Sequence, residues 1–148
     1  MVGVKFSRIA EQKSAELADS LIDKLINSPR TLAYREIDPE LLREEYEGFF
    51  CSLTEWLLYR AQADIEQSCT QLGQRRASQG IPIEQCVNAM LFCRDHLVEN
   101  LRREAARKGD ELFGELEFVV AVGQFFDDAI FFCMRGHRQY KLASEAVA

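Results

Sequence analysis

The chain has 148 residues, of which 47% are hydrophobic and 28% charged, with a formal net charge of −6. A chain of this length buries enough surface to fold as one domain without a disulfide or a metal, so residues 1–148 are read as a single domain. Its negative balance repels phosphate backbones and anionic membranes, which sets nucleic acid and membrane surfaces aside as partners.

The opening stretch Met1 to Arg8 carries no apolar run of signal-peptide length. An amphipathic helix is predicted from about Phe6 to Ile26, where Ile9, Leu17, Leu21, Ile22 and Leu25 recur at mostly helical spacings. Asn27-Ser28-Pro29 ends it, and a connector runs to Ile37, with Leu32 and Tyr34 folding back onto the domain. Asp38-Pro39-Glu40 reads as a helix start: an N-cap acceptor, a proline where no N–H is needed, and an acid near the positive helix end. From Leu41 to Tyr59 the stripe Leu42, Tyr46, Phe49/Phe50, Leu53 and Trp56/Leu57 marks a core helix. Residues Ala61 to Leu72 are helix-permissive too, either as its bent continuation or as a second helix.

The stretch Leu72-Gly73-Gln74-Arg75-Arg76-Ala77-Ser78-Gln79-Gly80-Ile81-Pro82 reads as a helix end, a turn and a restart. Gly80 supplies the left-handed backbone that stops a helix, and Pro82 suits the first turn of the next. Beyond it, Ile83, Val87, Met90/Leu91, Leu97/Val98 and Leu101 form another stripe, closed by basic residues that complement the negative helix end. The last helix is predicted from near Asp110 to about Tyr140. Its segment Phe118 to Phe126 is apolar on more than one face, which means burial in a core or sharing between a core and a second subunit. A domain of this size has limited room to enclose such a helix, so a homodimer built on Val119, Val122, Phe125 and Phe126 is expected. No stretch reads as a strand, and the class is all-α.

Gln124, Asp127 and Asp128 interrupt residues 118–134 before a membrane-length apolar span of about 20 residues accumulates. The cysteines Cys51, Cys69, Cys86, Cys93 and Cys133 are odd in number and widely spaced, and read as reduced thiols of a cytoplasmic protein. Cys93 and His96 share a helix face and are the two positions that could offer ligands. A tetrahedral metal site wants four, and the other histidine is His137, so a packed cysteine and a partly exposed histidine are expected instead. Asp127 is expected to pair with Arg94 of the preceding helix. Asp95 and His96 diverge by about 100° on a helix and make no acid–base pair, and no catalytic constellation forms at these spacings.

Two stretches carry a resemblance. Arg75-Arg76-Ala77-Ser78-Gln79-Gly80-Ile81-Pro82, and Phe125-Phe126-Asp127-Asp128-Ala129-Ile130 followed by Arg135-Gly136-His137, are similar to the N-terminal sensory domains of stressosome scaffold proteins, the co-antagonists of the switch kinase in the sigma-B stress pathway. His137 departs from the aromatic usual in the last motif. The resemblance implies a globin-like fold that dimerises through its terminal helix and acts as a sensor or docking module without haem. Haem-binding globin-coupled sensors have a similar corner with the iron-ligating histidine four residues before its glycine, and the equivalent position here is Arg76. A guanidinium offers no lone pair to iron, so no cofactor is expected. The implied role is non-enzymatic regulation of bacterial stress signalling, with Arg76, Gly80 and Pro82 as regulatory positions and a signalling protein as partner in trans. The alternative is a globin-type sensor that binds haem or a small molecule, in which the space under Phe49, Phe50, Trp56 and Met90 is a pocket.

Overall fold

The computed structural model describes residues 8–59, 62–107 and 112–147. Among them every regular element is helical, and the architecture is an all-α bundle. Helix α1 spans Ser14–Asn27, a 3-10 segment Pro29–Glu36, α2 Pro39–Tyr59, α3 Gln62–Ser78, α4 Ile83–Arg107 and α5 Leu112–Val147.

Helix α1 buries Leu17, Leu21, Ile22 and Leu25, the stripe expected of it. Its start differs: Phe6 lies outside the described residues, and the helical residues 8–12 are set off at Lys13, where φ −102° and ψ 14° leave the helical range. Ser28 then turns extended and its Oγ accepts the Arg30 N–H at 3.2 Å. Thr31 Oγ1 donates to the Leu25 carbonyl at 2.6 Å, tying the connector back to α1. Tyr34 is buried as expected, whereas Leu32 is 43% exposed. The 3-10 repeat of three residues places side chains two apart on different faces, so only one of the two turns inward.

Asp38 Oδ1 accepts the Glu40 N–H at 3.0 Å, the cap its position promised. The stretch after α2 is a separate helix, α3, and Leu42, Tyr46, Phe50 and Leu53 of α2 enter the core. In α4 the buried face is carried by Cys86, Ala89, Met90, Cys93, Leu97 and Leu101, whereas Ile83 and Val87 are half-buried.

Helix α5 has 36 residues and outruns its expected end at Tyr140; residues 138–146 are exposed. It packs most extensively on α3 and also on α4, while α1 lies against α2 and α4. The expectation that Val122, Phe125 and Phe126 face a second subunit is overturned: all three are buried within the protomer. Their partners are the aromatics of α2, with Trp56 stacked on Phe125 at 5.5 Å and Phe49 against Phe126 at 5.7 Å. Val119 is half-buried beside them. Among the described side chains, the large hydrophobic ones that α5 leaves exposed are Leu116, Val120, Phe131, Met134, Tyr140 and Leu142.

Candidate functional site

The corner after α3 closes as a Schellman turn. Gly80 has φ +79°, the Ile81 N–H reaches back to the Arg76 carbonyl at 3.0 Å, and the Gly80 N–H reaches the Ala77 carbonyl at 3.0 Å. Pro82 then opens α4 by accepting from the Cys86 N–H at 3.1 Å. Two of the residues singled out in sequence, Gly80 and Pro82, are thus turn chemistry, and the third is something else.

Arg76 is 2% exposed, the largest fully buried side chain among the described residues. Its Nη2 donates to Glu45 Oε2 and its Nη1 to Gln79 Oε1 at 3.0 Å. The guanidinium lies 5.4 Å from the centre of the Tyr34 ring. Burial works against its charge, but the facing Tyr46, Tyr34 and Glu45 outweigh that and hold its pKa above the ordinary arginine value. Burial raises the pKa of Tyr34 and of Tyr46 beside it, so both stay neutral phenols at physiological pH. Arg75, next in the chain, puts its Nε on Glu45 Oε1 at 2.8 Å. One carboxylate from α2 therefore holds two guanidiniums of α3.

The second motif meets the first. His137 is buried on α5 and its Nε2 lies 2.7 Å from the Ile81 carbonyl. A carbonyl only accepts, so Nε2 carries the proton and donates. His137 thus gives the corner a polar tether that an aromatic hydrocarbon ring would lack. Beside it, Gly136 and Gly73 bring the helices together backbone to backbone. A Cβ on Gly73 would stand 1.9 Å from the Cys133 carbonyl oxygen, and one on Gly136 2.0 Å from that of Thr70. Arg135 closes the same seam, with Nη2 on Glu66 Oε1 at 2.6 Å and its guanidinium 5.0 Å from the Phe132 ring centre.

On its other side α3 borders a cavity of about 340 Å³ shared with α2. Tyr46, Phe49, Trp56, Leu72 and Met90 form its apolar wall, and Glu45, Ser52, Ser68, Gln71 and Arg75 bring polar groups to it. Of the four residues proposed to surround a pocket, Phe49, Trp56 and Met90 line it, and Phe50 is buried in the core behind.

The expected ion pair is not made. Arg94 and Asp127 do not pair: Asp127 is exposed, and Arg94 Nε instead lies 3.1 Å from its neighbour Asp95. Both groups stand where water screens them, so nothing draws them across the helix gap. Cys93 and His96 point apart. Cys93 lines the cavity, and burial holds its thiol protonated. His96 faces α1, with Nε2 2.8 Å from Ser20 Oγ, and burial and Lys24 lower its pKa. Among the described residues no group of three His, Cys, Asp or Glu side chains is placed to hold a metal ion, and no helix is long and apolar enough to cross a membrane.

Sequence reasoning missed Glu45, Tyr34 and Tyr46 around Arg76, and the role of Gly73 and Gly136. The glycines did leave a signal: each sits inside a helix, where glycine costs roughly 1 kcal/mol against alanine and needs a reason.

A family model described as the RsbT co-antagonist protein rsbRD N-terminal domain matches residues 15–146. No curated protein and no solved structure matches the chain.

Proposed function

Because the chain belongs to the family of the RsbT co-antagonist protein rsbRD N-terminal domain, we propose that it is a non-enzymatic sensory domain that works without haem and relays a signal through α5 in a cytoplasmic homodimer. The family itself carries the coarser statement, a role in the regulation of stress signalling. The observation that supports the relay is the joint between corner and terminal helix. His137 holds the Ile81 carbonyl, and Gly73 and Gly136 lock α3 to α5, so a shift of the corner cannot leave α5 behind. An effector drives such a relay only if it binds the two arrangements with different affinity.

The haem-free reading rests on Arg76. At the position that the resemblance aligns with an iron-ligating histidine, the side chain is a guanidinium committed to Glu45 and Gln79. Leu116 and Val120, exposed on α5 near a groove that Val98, Val119 and Gly123 line together with the charged Arg94, Asp95, Glu99, Arg102 and Arg103, are where a second copy would bury apolar surface. A signalling protein acting in trans would then read the paired helices.

Native mass spectrometry of the protein as purified tests this reading. A dimer without added mass is the expected result. A monomer at micromolar concentration defeats the dimer relay, and a subunit carrying the mass of haem defeats the haem-free reading.

A further inference from the structure

We propose that the cavity between α2 and α3 is a binding site for a small aromatic carboxylate, its ring lodged against Phe49 and Trp56 and its carboxylate held by Arg75. The inference rests on the sensory reading above and names the class of molecule that would be sensed.

Size is the first argument. A volume of about 340 Å³ lies at the lower end of small-molecule sites, room for a one- or two-ring compound rather than a macrocycle. Shape and polarity are the second. Phe49 and Trp56 meet edge to face at 5.2 Å and form a wall that an aromatic ring extends in the same geometry. Ser52 between them on α2, and Ser68 and Gln71 across the cavity on α3, offer hydrogen bonds that a purely hydrocarbon ligand would leave unused.

Charge is the third and decides the sign of the ligand. The charged residues lining the cavity are Glu45 and Arg75, and Arg76 stands directly behind Glu45. Two guanidiniums share one carboxylate, so the cluster keeps one positive charge in excess. Arg76 is buried and its donors are engaged. The side chain of Arg75 is 49% exposed, and it uses Nε on Glu45, which leaves its terminal nitrogens for a second carboxylate. A planar fork of this kind is matched by a carboxylate and repelled by a cation.

Occupation would also reach the corner. A ligand carboxylate on the terminal nitrogens of Arg75 would stand beside Glu45, and Glu45 is the group that holds Arg76, whose carbonyl closes the Schellman turn. The site therefore sits one side chain away from the element tethered to α5.

The test uses 3-phenylpropionate and its neutral analogue 3-phenylpropanamide against the full chain. Trp56 is the sole tryptophan and lines the cavity, so its emission responds to a ligand there, with isothermal titration calorimetry as the second readout. The expected result is saturable binding of the acid, at least about tenfold weaker binding of the amide, and loss of that difference in Arg75→Gln with its unfolding midpoint nearly unchanged. No saturable binding of the acid, or equal affinity for acid and amide in the unaltered protein, overturns the proposal without reference to any variant. The oligomeric state measured on the same samples separates the two readings. Binding of the acid to a monomer sustains the site and defeats the dimer relay, and a dimer that ignores the acid defeats the site alone.

Discussion

Toward α5, helix α3 presents Thr70 and Gly73 and meets another helix backbone to backbone; toward α2 it presents Cys69, Leu72 and Arg75 and meets a cavity of about 340 Å³. On the first face an added methyl group has nowhere to go, and on the second there is open space with a bridge of ions at its edge. Close packing transmits displacement because it leaves no slack, whereas a cavity absorbs a side chain or a ligand at little cost. The same helix is thus fastened to the element expected to carry a signal outward and kept apart from the one that lines the space a signal could enter.

The largest effect should come from closing the gap on the dense face. Gly73→Ala or Gly136→Ala puts a methyl carbon within 1.9 or 2.0 Å of a carbonyl oxygen in the opposing backbone, which no rotamer change relieves. The helices must separate, and the loss should be about 3 kcal/mol or more, at the upper end for overpacked sites. Urea unfolding measures it. A loss under about 1 kcal/mol would mean that α3 and α5 can part easily, and the contrast between the two faces would fail.

The bridge between the faces ranks next. Glu45→Ala leaves the Arg76 guanidinium, 2% exposed, without its anion, and breaking a buried pair from one side costs roughly 3 kcal/mol. The double change Arg76→Met with Glu45→Gln removes the charge together with its partner and should recover most of that loss, since a buried ion pair is often replaceable by apolar packing of similar volume. If the double variant is as unstable as the single one, Arg76 acts through its hydrogen bond to Gln79 rather than through charge.

What the sequence made legible follows from how local each signal is. Asp38 and Gly80 were readable because a cap and a helix stop depend on a few adjacent residues, and both are used as expected. The apolar stripes of α1 and α2 were readable for the same reason. In α4 the phase slipped because the larger Ile83 and Val87 were weighted above the small Cys86 and Ala89, which are the residues that are buried. The bond from Arg76 to Glu45 spans 31 residues and involves common surface residue types, so nothing local announces it. The faces of α5 were harder still. An all-round apolar helix does not say which face is its own core, and the aromatics of α2 that claim Phe125 and Phe126 are known only once the helices are assembled.

The smallest effect is the most discriminating, because it repeats the glycine experiment on the hollow side and should reverse its sign. Gly48 lies inside α2 on the cavity wall, and a Cβ built there meets no heavy atom within 4 Å. Gly48→Ala therefore introduces no clash. It removes conformational freedom from the unfolded chain and restores helix propensity, a gain of roughly 0.5–1 kcal/mol. The methyl group also takes volume from the cavity, so binding of 3-phenylpropionate should weaken or stay level while stability rises. A destabilised Gly48→Ala would mean that α2 closes onto α3 in solution, and the two faces of α3 would then be packed alike.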